Sequence, residues 1–170
     1  TILLWPNSRN IKIINNQLLL GKSDINSDVF DVIFSANSAI QTITIPDYIT
    51  KISENAFSRC SRLRVVNFTE NSQLQIIESK AFSYLEIRTI TIPSHVKLIC
   101  EYAFERCENL QTVNFAPNSE LSVFKGNMFC GCSIENLTIP CNVKDLDPGW
   151  NIGIKDDSIN ISPENHNLLF

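Results

Sequence analysis

Nowhere in this 170-residue sequence do Lys and Arg gather into a basic stripe, which argues against nucleic acid as a partner. No apolar stretch approaches the ~20 residues of a membrane span, so this segment is expected to make no direct membrane insertion. No signal-peptide pattern leads the chain. It begins at Thr1 and stops abruptly at Phe170, which reads as a fragment, so the missing signal excludes no compartment. Histidine is nearly absent: only His95 and His166, at corner and tail positions. Neither is expected to meet a Ser or Cys through the repeat, which argues against a nucleophile–base pair. Glycine is scarce as well, with 5 residues. Gly21-Lys22-Ser23 copies the end of a phosphate loop, but residues 16–20 lack the leading glycine. Charge is low, 19% with a net −4, against 44% hydrophobic residues. That balance fits an ordered chain with a real core and argues against disorder.

What is present is repetition. Residues 41–76 compared with 88–123, a lag of 47, are identical at 18 of 36 positions. Thr42-Ile-Thr-Ile-Pro46 matches Thr89-Ile-Thr-Ile-Pro93, Val66-Asn-Phe68 matches Val113-Asn-Phe115, and a third copy follows at Leu137-Thr-Ile-Pro140. Each unit is itself two turns. The aromatics Phe57, Phe82, Phe104 and Phe129 are spaced 25, 22 and 25 apart, and Phe34, 23 residues earlier, reads as the first of the series. A period of 22–25 lies inside the leucine-rich-repeat range.

Every turn opens on L-x-x-I-x-I, as in Ile40-x-x-Ile43-x-Ile45 and Leu63-x-x-Val66-x-Phe68. The alternation and the β-branched residues predict a strand. Pro46, Pro93 and Pro140 then end the ladder in alternate turns, because proline has no N–H to give. The other turns carry longer polar corners, Thr69-Glu-Asn-Ser72 and Ala116-Pro-Asn-Ser119. A V-x-x-I stretch (Ile49–Ile52, Val96–Ile99) predicts extended chain on the opposite side, and Ala-Phe-x-x-Cys predicts one helical or 3₁₀ turn. The fold expected is therefore a β-rich α/β leucine-rich-repeat solenoid, right-handed, with a parallel sheet on one face and short strands and helical or 3₁₀ turns on the other.

One domain, 1–170, is expected. Residues 1–38 read as a capping hairpin and irregular first turn, with Asn15-Asn16 between two apolar runs. Residues 39–145 read as repeat turns, and 146–170 as an irregular turn, a cap, or the start of a next module. There Trp150 is expected in the spine place, with Ile159-x-Ile161 as the next strand. Ile2, Leu4, Pro6 and Asn10 echo Ile159, Ile161, Pro163 and Asn167 at a lag of 157. That echo points to neighbouring repeats of the same chain.

The strings Ile-Thr-Ile-Pro, Ala-Phe-x-x-Cys and Asn-Ser-x-Leu resemble the BspA-like (Treponema-type) leucine-rich repeats, and are most similar to the BspA-like surface proteins of trichomonad protists. Gly21-Lys22-Ser23 and Pro148-Gly149-Trp150 add to the likeness, which covers roughly residues 11–165. Ser53 and Cys100 depart from it, standing where the family has Gly. The resemblance implies a solenoid for adhesion or protein binding, often at a cell surface, with no catalytic residues to carry over.

Six cysteines invite other readings. Cys60, Cys107 and Cys132 each lie three residues after a spine Phe. Cys60 and Cys107 are two turns apart, ~10 Å, too far for a disulfide, whereas Cys107 and Cys132 fall on adjacent turns and could meet. A ladder of buried thiols is the expectation. Cys130-x-Cys132 lacks zinc spacing, so no metal and no cofactor are expected. Glu54 and Glu101 are copied from turn to turn, which fits solvation better than chemistry. Asn67-Phe-Thr69, Asn136-Leu-Thr138 and Asn160-Ile-Ser162 are glycosylation sequons, two of them inside predicted strands.

The candidate binding surface is the outward face of the parallel sheet. Its residues are Thr42 and Thr44, Val65 and Asn67, Thr89 and Thr91, Thr112 and Asn114, Asn136 and Thr138, flanked by Gln41, Arg64, Arg88, Gln111 and Glu135. The partner expected there is a protein. Two settings compete: a surface adhesion or recognition module, or an intracellular scaffold within a large assembly. Reduced, buried cysteines fit the second at least as well.

Overall fold

The computed structural model describes residues 9–166. Every turn of the coil contributes a long strand to a front sheet and a two-residue strand to a back sheet. The front strands are β4 (Thr42–Ile45), β6 (Val65–Phe68), β8 (Thr89–Ile92), β10 (Thr112–Phe115), β12 (Asn136–Ile139) and β14 (Ile159–Ile161). The back strands are β5 (Lys51–Ile52), β7 (Ile76–Ile77), β9 (Leu98–Ile99), β11 (Val123–Phe124) and β13 (Asp145–Leu146). All neighbouring pairs among them are parallel. The alternation predicted from sequence is the alternation of burial: Ile43, Ile45, Ile90, Ile92, Leu137 and Ile139 are buried, while Thr42, Thr44, Thr89, Thr91 and Thr138 face outward.

Between the two sheets runs a column of rings. Phe57, Phe82, Phe104 and Phe129 are fully buried and stacked, with centroids 5.1, 5.4 and 5.5 Å apart. That spacing is close to the strand separation of a sheet, so one ring per turn fills the core without a void. Two expectations about this column need correcting. Phe34 is not its first member. It lies on β3 (Val32–Ala36), pointing outward and 42% exposed, with its ring over Gly21. A period of 23 fits, but Ile33 of β3 is paired with Ile52, and the strand alternation then turns its neighbour Phe34 away from the core. Trp150 also leaves the column: it meets Phe124 of the back strand edge-on at 6.3 Å, covering the core from a different place.

The Ala-Phe segment is made of i→i+3 turns such as Ala56 N–H to Ser53 O and Cys60 N–H to Phe57 O. No helix forms there, because Asn55, Lys80, Tyr102 and Asn127 take the left-handed conformation, with φ of 56–61°. Their reward is a third ladder. The N–H of Asn55 reaches Ser79 O and that of Tyr102 reaches Asn127 O, each on the next turn. Among the described residues the one 3₁₀ helix is Asp156–Ser158.

At the amino end β1 (Lys12–Ile14) and β2 (Leu18–Gly21) form an antiparallel hairpin whose turn residues Asn15 and Asn16 both have positive φ. This is the twist-matched hairpin turn that asparagine tolerates. β2 pairs antiparallel with β3, and β3 pairs parallel with β5, so the hairpin continues the back sheet. It is anchored by Asp31, which is buried and accepts hydrogen bonds from Ser23 N and Oγ (2.8 and 2.6 Å) and from Thr50 Oγ1 (2.7 Å). Burial alone would raise its pKa; the hydrogen bonds from Ser23 and Thr50 outweigh that and lower it. Of the 157-residue echo, Ile2, Leu4, Pro6 and Asn167 lie outside the described residues.

The front sheet is not continuous. β4 and β6 pair over four residues, β8 and β10 over four, β10 and β12 over two, and β6 is joined to β8 by no ladder hydrogen bond. In the front sheet the ladder is thus full inside each 47-residue unit and weak or absent between units; in the back sheet the break falls inside a unit, between β9 and β11, while β7–β9 and β11–β13 pair across the unit boundaries. β6 and β10 end in the half-buried rings Phe68 and Phe115, where β4, β8 and β12 end in fully buried isoleucines. A ring followed by a longer corner cannot tuck in as isoleucine does, and the next strand stands off.

Candidate protein-binding face

The structure brings the sequence-predicted outward residues onto one surface. Thr42, Thr44, Asn67, Thr89, Thr91, Asn114, Asn136 and Thr138 are exposed on successive front strands, and Thr112 is half-buried. Arg64, Arg88 and Gln111 are exposed at the entry to β6, β8 and β10. Gln41 and Gln111 also have a backbone role: the carbonyl of Gln41 accepts from Arg64 and Val65, and that of Gln111 from Glu135 and Asn136. Stability explains those positions as well as binding does.

The split between β6 and β8 opens a cleft of about 970 Å³ in this face. Arg64, Asn67, Arg88, Thr89 and Thr91 line it, as predicted face residues. Phe68, Thr69, Glu86 and Pro117 line it too, and sequence reading passed over them. Arg64 donates from Nε and from a terminal nitrogen to Glu86 Oε2, at 3.0 and 2.9 Å. Both side chains are largely exposed, so the pair is worth little in stability. Thr69 Oγ1 is buried without a hydrogen-bond partner, the one such side-chain oxygen or nitrogen among the described residues. A smaller cleft of about 300 Å³ lies at the repeat-equivalent place, lined by Asn114, Phe115, Pro117, Thr138 and Pro140.

The thiol ladder is there, and it is polar. Cys60, Cys107 and Cys132 donate to the carbonyls of Asn37, Phe82 and Phe104 at 3.5, 3.0 and 3.1 Å. Each cysteine thus answers a carbonyl on the preceding turn, beyond the hydrophobic role expected from sequence. Burial pushes the Cys60 thiol up to about 11. The neighbouring Cys107 thiol, and then burial, push Cys132 up further. All six cysteines are free. Among the described residues no three His, Cys, Asp or Glu side chains gather as metal ligands.

His95 lies at the corner, and the Ser it meets is its own chain neighbour. Its Nδ1 is 3.2 Å from Ser94 Oγ, and its Nε2 is 4.0 Å from Glu120 Oε1. Repeat geometry does bring a carboxylate to it, and chain adjacency brings a hydroxyl. All of this lies on the exposed corner, and Lys97 competes for Glu120 at 3.5 Å.

The model of the BspA type leucine rich repeat region matches residues 23–150 in six copies. The chain belongs to the BspA-type leucine-rich-repeat family. Among solved structures, the pneumococcal vaccine antigen PcpA is 29% identical, with a TM-score of 0.66 over 74% of this chain and 31% of that one. A leucine rich cell surface protein of Faecalibacterium prausnitzii is 20% identical, TM-score 0.48, over 75% of this chain and 40% of that one. A leucine-rich repeat protein of Bacteroides ovatus is 18% identical, TM-score 0.34, over 76% and 54%. No curated protein matches. This BspA-type chain therefore spans about a third of PcpA and about half or less of the other two. Leucine-rich-repeat domains commonly mediate protein interactions. Among the described residues no helix is long and apolar enough to cross a membrane.

Proposed function

We propose that this chain is a non-enzymatic protein-binding module, part of a surface adhesion or recognition protein, and that it binds through the outward face of its front sheet. The observation that carries the reading is a repeated strand array presenting Thr44, Asn67, Thr91 and Asn114 outward, with flanking residues that change from turn to turn. Position 64 is Arg where its copy at 111 is Gln, and position 88 is Arg where its copy at 135 is Glu. A strand pattern that repeats, carrying flanking side chains that do not, is what a recognition surface needs. The face is rich in Thr and Asn, which favours polar contacts of modest affinity over strong electrostatic steering. The surface setting draws on PcpA, a vaccine antigen, at 29% identity.

The test replaces Thr44, Asn67, Thr91 and Asn114 together by Glu and compares capture of partners from host-cell and self lysates. All four are exposed, so folding is expected to survive. Loss of the captured partner is expected; undiminished capture sinks the face. A second reading, an intracellular scaffold, is favoured by the thiols of Cys107 and Cys132, which act as hydrogen-bond donors and lose that role on oxidation. Intact mass of protein from its native host separates the two. Glycan on Asn67, Asn136 or Asn160 supports the surface setting, and bare protein supports the scaffold.

A further inference from the structure

The break in the front sheet between β6 and β8 coincides with the places where the repeat stops copying itself. Four charged side chains line the cleft there: Arg64, Glu70, Glu86 and Arg88. Their copies 47 residues on are Gln111, Pro117, Ser133 and Glu135. The repeat-equivalent cleft between β10 and β12 has about a third of the volume and one charged side chain, Glu164. Arg64 and Glu86 are exposed and pair only with each other. The side chains of Glu70 and Arg88 are exposed and make no hydrogen bond or ion pair with any described residue. Charged groups that hold no other element in place are thus concentrated in the larger cleft.

The lining narrows what the cleft can hold. Two Arg and two Glu sum to no net charge. Guanidinium only donates hydrogen bonds, and carboxylate only accepts them. An acidic ligand is attracted by the two Arg and repelled by the two Glu, and a basic ligand the reverse. An apolar ligand would strip water from all four and leave them without partners. β6 and β8 approach within 8 Å at Cα, so no further strand enters between them and a ligand must lie on the cleft. A neutral ligand rich in hydroxyls meets none of these obstacles. Each hydroxyl both donates and accepts, so it can answer Arg, Glu and the Asn67, Thr89, Thr91 and Ser94 that also line the cleft. The half-buried ring of Phe68 and the exposed Pro117 add apolar patches that suit the C–H faces of a sugar. Arg88 stands just before β8 and Glu70 just past β6. Because the front strands run the same way, these two unengaged groups lie at opposite ends of the cleft, about a four-residue strand apart, ~13 Å. A span of that length calls for more than one sugar ring.

We propose that the cleft between β6 and β8 binds a short neutral oligosaccharide, held by Arg88 at one end and Glu70 at the other. The inference rests on the outward face being the binding surface. It adds a ligand class to that reading, a glycan carried by the partner.

The probe is an array of short neutral oligosaccharides built from hexose and N-acetylhexosamine, each printed beside a sialylated or sulfated counterpart and read with the intact chain. Neutral members are expected to bind, and their acidic counterparts to bind less. In calorimetric titration of the best neutral member, Arg88→Ala and Glu70→Ala are each expected to weaken binding about tenfold. Thr138→Ala, on the same face beyond the cleft, is expected to leave it unchanged. Glu70→Gln combined with Glu86→Gln removes the negative charge and is expected to raise binding of the acidic counterparts. No neutral member binding, acidic members binding as well as neutral ones, or unchanged affinity in Arg88→Ala and Glu70→Ala overturns the inference. So does an equal loss in Thr138→Ala, or no rise for acidic members in the double Gln variant. If the quadruple Glu variant loses its captured partner while no oligosaccharide binds wild type, the glycan fails and the face stands. If capture is undiminished and no oligosaccharide binds, both fail.

Discussion

Phe82 sits between two other rings, 5.1 Å from Phe57 and 5.4 Å from Phe104, and has no exposed surface. Phe82→Ala removes the middle of the column and leaves a hole that strands held on both sides cannot close. A loss of about 3–5 kcal/mol in urea unfolding is expected, with Phe82→Leu costing less. Asp31 acts at the same scale through charge. Its folded pKa lies below the ordinary carboxylate value, so its stabilisation is full above about pH 4 and is lost as pH falls through the lowered value. Asp31→Asn is therefore expected to lower the urea midpoint at pH 7. The difference should shrink steadily below about pH 4, as wild type is protonated. A gap that stays constant down to pH 2 would contradict this account.

The elements are held by three backbone ladders; the back one is interrupted between β9 and β11, and the front one between β6 and β8. Amide hydrogen exchange reads the front interruption directly. Amides of Thr89 and Thr91, which face the split, are expected to exchange far faster than those of Ile90 and Ile92, which face β10. Equal protection at alternate residues of β8 would show that the split closes in solution. The strands were legible in the sequence because burial writes a period of two, and the I-x-I pairs carry it at every turn. The interruption was not legible in the same way. A ladder is made of groups that every residue shares, and its only written traces are Phe68 and Phe115 in place of isoleucine and the four-residue corners after them. Phe34 shows the converse. A repeat spacing alone assigned it to the core, while its strand phase turned it to solvent.

Taken whole, the molecule is a coil whose architecture came from repetition and whose candidate site comes from departures from it. Thr42, Thr44 and their counterparts could be placed on one face from the alternation alone. Arg64 and Arg88 could be placed beside that face. Thr69, Glu86 and Phe68 could not be placed in the site, because a cleft between turns is a property of how two units meet. Each unit taken alone has no such place.

Weak seams between strong units also decide how the coil responds to load. Pulled from its two ends, a stack of even turns has no preferred point of failure. This one has a front seam between β6 and β8, where no front ladder bond resists, and a half-closed one between β10 and β12. Behind the first seam β7 and β9 stay paired, and Phe82 N–H still reaches Ala103 O. Extension would therefore open the front of the coil there while the back holds, so that tension turns into a bend about the back ladder.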